Sequence, residues 1–185
     1  KNGAKDEPAE EYTIYQISGY KGDPELFLRQ SAPKMAGLLK SEKLELDEKE
    51  VEHTLSYQLK YAKDDLVIID WDGAFLFDSE GEFGETIELL ELANYQLLRS
   101  RILDSDLDER LKKVSKLVEK QSQKWFILKT KEIAEAYREV IRVRSQSVSE
   151  FEALDREIKL IGDWYSARLY ELAAKKFRID DWRNT

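Results

Sequence analysis

A chain of 185 residues with 42% hydrophobic and 37% charged content is long enough to bury a core and carries much solvent-facing charge, unlike a disordered or fibrous sequence. It has no Cys and one His, His53, which excludes a disulfide framework, thiol chemistry, the usual zinc sites and His-based triads. Its net charge of −8 is unevenly placed, because residues 110–144 hold 11 basic and 4 acidic side chains and leave −15 to the rest.

Residues 1–10 are polar, with Gly3 and Pro8, and read as a disordered or vector-derived tail. Tyr12 to Ile17 is aromatic and β-branched and predicts a strand. Asp23-Pro24 is a helix start, with Asp as N-cap and Pro in the first turn. Pro33 interrupts the stripe that follows, so one kinked helix or two short ones are expected. Leu44 to Glu52 reads as a charged loop with a helical turn, and Thr54 to Tyr61 alternates as a half-exposed strand. His53 has no second His or Cys with which to share a metal.

Leu66 to Ile69 is an unbroken apolar run, and Ala74 to Phe77 is another. Asp72-Gly73 between them predicts a hairpin of Leu66–Trp71 with Ala74–Phe77 through a type I′ turn, which needs φ > 0 at both central residues. An apolar strand ending in Asp70-x-Asp72-Gly73 also resembles the first motif of the haloacid-dehalogenase phosphatases. That resemblance implies Asp70 as nucleophile, Asp72 as general acid/base and Mg²⁺ between them. The pattern departs from the family at Ala74, where a small hydroxylic residue stands, and at Asp78, one position late. No strand-like segment follows Gly84 to deliver the Ser/Thr, Lys and acidic pair that such a site needs.

From Glu85 the apolar spacing turns helical and predicts one helix to about Lys120. Trp125 to Ile141 marks a second helix. Phe151 to Leu172 marks a third, near heptad spacing. Ser147 with Glu150 and Ser149 with Glu152 look like capping boxes and place a break at Ser145–Ser149. Gly162-Asp163 interrupts the third helix, with two readings: close packing or recapping by Asp163, or a polar pair of Asp163 with Arg168 placed for a partner. Asp180 reads as the cap of a further helix.

The expected fold is α+β: a small, mostly antiparallel four-stranded sheet with covering helices, over residues 11–83, followed by long helices over 84–185 that form a bundle or coiled-coil arm packed on the sheet. Phe83–Leu111 and Ile158–Phe177, with the DLVIIDWDGAFLFD hairpin upstream, resemble a family of bacterial membrane-anchored proteins of unknown function. Those proteins are distantly similar to the mitochondrial inner-membrane family named for a requirement in meiotic nuclear division. Ile161–Tyr170 is the most specific stretch. The resemblance implies a cytoplasmic domain at a membrane surface, with a C-terminal anchor beyond Thr185, and it supplies no catalytic residues.

The sequence therefore reads as a non-enzymatic interaction or scaffold domain without cofactor or metal, acting by self-association or through a protein partner of the helical arm. Interaction residues proposed on this reading are Asp163, Tyr165, Arg168, Tyr170, Arg138 and Arg142. The alternatives are a Mg²⁺-dependent phosphohydrolase using Asp70 and Asp72, and binding of anionic lipid or nucleic acid through the basic helices 110–144. Nucleic acid is disfavoured because no Gly-rich loop or basic-aromatic interleaving accompanies the charge.

Overall fold

The computed structural model describes residues 9–119, 126–160, 163–179 and 181. Its strands are β1 (Thr13–Ile17), β2 (Gln58–Leu59), β3 (Asp65–Ile69) and β4 (Gly73–Asp78). Its helices are α1 (Pro24–Leu39), α2 (Glu48–Leu55), α3 (Gly84–Glu119), α4 (Phe126–Leu160) and α5 (Trp164–Lys176). The strands form one sheet in the order β1-β4-β3-β2, parallel between β1 and β4 and antiparallel elsewhere, and the fold is α+β.

β3 and β4 are central and apolar on both faces, so the sheet is covered on each side. Leu66, Ile68, Phe75 and Phe77 form one core with Met35, Ala36 and Leu39 of α1 and Val51 and Leu55 of α2. Val67, Ile69, Ala74 and Leu76 alternate with them and are equally buried. α5 packs against β2 and β3. Tyr170 of α5 donates to Gln96 Oε1 of α3, and Ser166 Oγ lies 2.6 Å from Glu85 Oε1.

α1 starts as its sequence directs, with Asp23 accepting from the Glu25 amide at 2.9 Å. It remains a single helix through Pro33, which lies with Arg29 on its exposed side. The strand expected over Thr54–Tyr61 is overturned for most of its length. Asp47 caps α2 through the Lys49 amide, and Val51, Thr54 and Leu55 are buried at helical spacing. Only Gln58 and Leu59 of that stretch join the sheet.

The hairpin forms, but not through the expected turn. Asp70 N donates to Gly73 O at 2.8 Å, and Asp65–Ile69 pairs with Ala74–Asp78. Neither Asp72 nor Gly73 has positive φ. Gly73 already belongs to β4, and a Cβ there would lie 2.6 Å from the Thr13 carbonyl oxygen. Glycine is required by the close approach of β1, not by a left-handed backbone.

The break expected at Ser145–Ser149 is absent. α4 runs through it, with Ser147 Oγ donating to Val143 O and Ser149 Oγ to Ser145 O, each one helical turn back. A hydroxyl satisfied by its own helix has no need to cap a new one. α4 and α5 are separate helices, and Asp163 caps α5. Gly162 and Asp180 lie outside the described residues.

The chain divides into two units, Lys1–Leu97 with Ile161–Thr185, and Leu98–Leu160. The first contains the sheet, α1, α2, the start of α3, and α5. The second is the remainder of α3 with α4. Within it Arg99 pairs with Glu150 and Arg110 with Glu139, so the later position on α3 meets the earlier one on α4. The two helices run antiparallel.

Substituting Gly73→Ala drives a methyl group against the Thr13 backbone. Overpacking of this kind costs about 1–3 kcal/mol. The urea midpoint should fall with an unchanged slope; an unchanged midpoint would show that β1 yields freely.

Candidate functional site

The aspartate that resembles a phosphatase nucleophile is fully buried, at 0% exposure. Asp70 directly follows β3, and its carboxylate meets two lysines. Lys176 Nζ of α5 contacts Oδ1, and Lys40 Nζ, at the C-cap of α1, lies 3.3 Å from Oδ2. The two ammonium groups thus set positive charge against both carboxylate oxygens. Lys40 also reaches Glu50 of α2 at 3.3 Å. Burial alone would lower the Lys40 ammonium, but Asp70 and Glu50 outweigh it and hold its pKa above the ordinary lysine value. Lys176, itself 4% exposed, lies with its ammonium 4.5 Å from the centre of the Tyr57 ring.

Tyr12 closes the same corner. Its hydroxyl contacts the carbonyls of Asp70 at 3.1 Å and Gly73 at 3.0 Å, and its ring meets Phe177 edge-on at 5.6 Å. Burial, then the charges of Asp70 and Asp72, push the Tyr12 phenol well above its usual range. Asp72, close to Asp70 in sequence, is exposed to solvent. The two carboxylates that a phosphohydrolase would bring together around Mg²⁺ thus occupy opposite environments. Asp78 organises the next loop, accepting from the amides of Glu80, Gly81 and Glu82. Among the described residues no group of three or more His, Asp or Glu side chains is placed to hold a metal. A cleft of about 670 Å³ between α1 and the 41–46 loop is lined by Tyr15, Leu38, Leu44 and Leu46 among others, and none of the Asp70 cluster lines it.

Of the six residues proposed for interaction, three gather at the start of α5. Asp163 accepts from Ser166 N at 2.9 Å and from Ser166 Oγ at 2.7 Å. The Ser166 hydroxyl, then its amide, holds the Asp163 carboxyl below the usual range. Asp163 is a cap and makes no pair with Arg168. Arg168 instead lays its guanidinium 4.6 Å from the centre of the Trp164 ring. Tyr165 meets Tyr61 at 5.4 Å, and Tyr61 meets Trp164 at 6.3 Å. Sequence reasoning missed Tyr61 and Trp164, which are 69% and 61% exposed. The alternation puts Tyr61 on one face with Leu55, Tyr57 and Leu59, in a strand of which only Gln58 and Leu59 form.

The other three separate. Tyr170 is core, further along α5. Arg138 and Arg142 are exposed on α4, where Arg142 pairs with Glu139 at 2.7 Å. The basic stretch is partly neutralised within its own unit, since Arg110 engages Asp106 and Glu139 and Lys112 engages Asp108. α4 carries a different feature: Tyr137, Ile141 and Val148 are 56%, 51% and 42% exposed. At about 100° per residue these three fall within about 40° of one another on the helix.

Two measurements test the roles of these groups. Lys176→Met leaves Asp70 buried with Lys40 alone and should cost roughly 3 kcal/mol in denaturant unfolding, while adding Asp70→Leu should recover much of it. Lys176→Met as stable as wild type would show the pair carries no weight. The second is alkaline. Burial, then the charges of Asp65, Asp78, Asp163 and Glu85, push the Tyr165 phenol up to about 12; burial, then Asp78 and other carboxylates, do the same for Tyr20. Between about pH 10 and 12 the unfolded chain therefore loses tyrosine protons that the folded chain keeps, and stability falls as pH rises. Tyr165→Phe should make that fall shallower and leave stability below pH 9 little changed.

Comparison with known proteins adds relatives without an established role. Residues 2–84 match a family model described as "Uncharacterized protein MJ0711, N-terminal domain". That stretch ends at the first residue of α3. Over 173 residues the chain is 31% identical to the uncharacterized protein MJ0711 of Methanocaldococcus jannaschii, covering 94% of this chain and 52% of the relative. The chain thus spans about half the length of the curated relative it matches. No solved structure matches. Among the described residues no helix is long and apolar enough to cross a membrane.

Proposed function

We propose that this chain is a non-enzymatic interaction domain that self-associates through α4, as the scaffold part of a membrane-tethered protein. The observation that carries the reading is the exposed stripe of Tyr137, Ile141 and Val148. Large apolar side chains aligned on one helix face, in a sequence this rich in charge, favour a covering partner. The charge along α4 favours a second copy. Residues 126–144 hold five basic and three acidic side chains, a net +2, and residues 145–160 hold two basic and four acidic, a net −2. Two such helices laid antiparallel across a two-fold axis bring each basic half against an acidic half and stripe against stripe.

The enzymatic alternative draws no support from the buried, doubly neutralised Asp70. The membrane tether rests on the resemblance of Ile161–Tyr170, and the additional length of the archaeal relative leaves room for an anchor.

Light scattering on the separated protein tests self-association. A mass rising with concentration toward twice 21.7 kDa is expected. Tyr137→Glu with Ile141→Lys, both at exposed positions, should weaken the dimer by about a hundredfold or more. A wild-type chain that stays monomeric at high concentration overturns the reading. The tether is tested separately: the full-length protein should sediment with membranes and resist alkaline washing, and recovery in the supernatant would remove that part.

A further inference from the structure

The start of α5 presents a second surface, on the other unit, that self-association through α4 does not use. Tyr61 and Trp164 are the two most exposed aromatic residues there, and with Tyr165 they form a contiguous set of rings. Rings held this far in water, beside an Arg, are the side chains that dominate protein–protein hot spots. One ring face already receives a cation, the Arg168 guanidinium over Trp164.

The charge around the rings selects the partner. The segments that carry them, 60–65, 78–85 and 163–168, hold seven acidic and three basic side chains. Lys60 is occupied by Asp23 at 2.6 Å and Glu25 at 3.3 Å. Asp65, Asp78, Asp163 and Glu85 all act on the Tyr165 hydroxyl, whose ring meets Tyr61 at 5.4 Å. The α5 N-terminus, which would otherwise attract an anion, is filled by the Asp163 carboxylate. The unit as a whole carries −11, from 15 basic and 26 acidic residues. Phosphate-bearing surfaces are repelled by such a patch; guanidinium and ammonium groups are attracted to it and find π-faces on arrival.

We propose that the Tyr61–Trp164–Tyr165 face is a docking surface for a Lys/Arg-rich segment of a protein partner. The carboxylates steer the segment, and the rings hold its cationic heads and their aliphatic stems. Arg168 marks the position that an incoming guanidinium extends or replaces.

The test is titration calorimetry on the whole chain with a short, unstructured peptide of alternating Arg and Gly, and a Glu/Gly peptide of equal length as control. The Arg peptide should bind at about 50 mM salt and weaken steeply by about 300 mM, while the Glu peptide should not bind. Trp164→Ala and Tyr61→Ala, each tested alone because both side chains are largely exposed, should weaken binding by about tenfold. Tyr137→Ala, on the other unit, should bind as wild type. Absence of binding at low salt overturns the proposal. So does equal binding by wild type and both aromatic variants, which would reduce the effect to net charge, and so does equal binding of the Glu peptide. A chain that binds the Arg peptide yet stays monomeric retains this surface and loses the self-association reading.

Discussion

Everything in the sheet-bearing unit is constrained by one carboxylate that cannot reach water. Asp70 is fully buried at the end of a central strand. A charge in that position is tolerable only if cations are brought to it. The two that come are Lys40, from before the hairpin, and Lys176, from close to the end of the chain. The end of α1 and the last turn of α5 must therefore arrive at the same corner for the core to close. Tyr12, Trp71 and Phe177 then seal it, with Phe177 touching both other rings. An apolar core can be satisfied by many arrangements, whereas this pair specifies which helix ends meet.

That constraint explains the discontinuous unit. α5 follows a long excursion through α3 and α4, yet it belongs with the sheet because Lys176, Phe177 and Ile179 are buried there. The intervening residues 98–160 behave as an insertion between two halves of one core. They are free to carry charge and apolar residues on their surface without disturbing the Asp70 corner.

Much of this was legible in the residues. The Asp23-Pro24 start of α1, the hairpin, the α+β class and the long helix from Gly84 follow from caps and apolar period. What failed did so where two local signals competed. Leu55, Tyr57, Leu59 and Tyr61 alternate as a strand should, but Asp47 with its acidic first turn nucleates a helix that takes Thr54 and Leu55 first. The serines at 145–149 fit a capping box as well as they fit a continuous helix with hydroxyls bonded back to it. Asp-Gly at 72–73 signals a turn correctly and its mechanism wrongly, because glycine answers to a neighbouring backbone that only tertiary structure brings near. The Asp70 pair is illegible in principle, since nothing local connects residues 40, 70 and 176. The aromatic set at α5 is half visible: Asp163, Tyr165 and Arg168 stand out in the sequence, while Tyr61 requires the sheet to show where it lands.

Charge is balanced in the core and left unbalanced at the surface. The buried charge of Asp70 is balanced at short range by Lys40 and Lys176. The surface charge is not balanced: the sheet-bearing unit carries −11 and the helical unit, with 15 basic and 12 acidic residues, +3. Unbalanced surface charge steers association over distances of about a Debye length and decides which partners approach. Apolar groups, effective only on contact, then decide which of them remain. Exposed apolar groups occur on both units beside charge of differing sign, acidic at Tyr61 and Trp164, and basic passing to acidic along α4. Charge in the core is thus spent on holding helix ends together, while charge at the surface is left beside exposed apolar groups on both units.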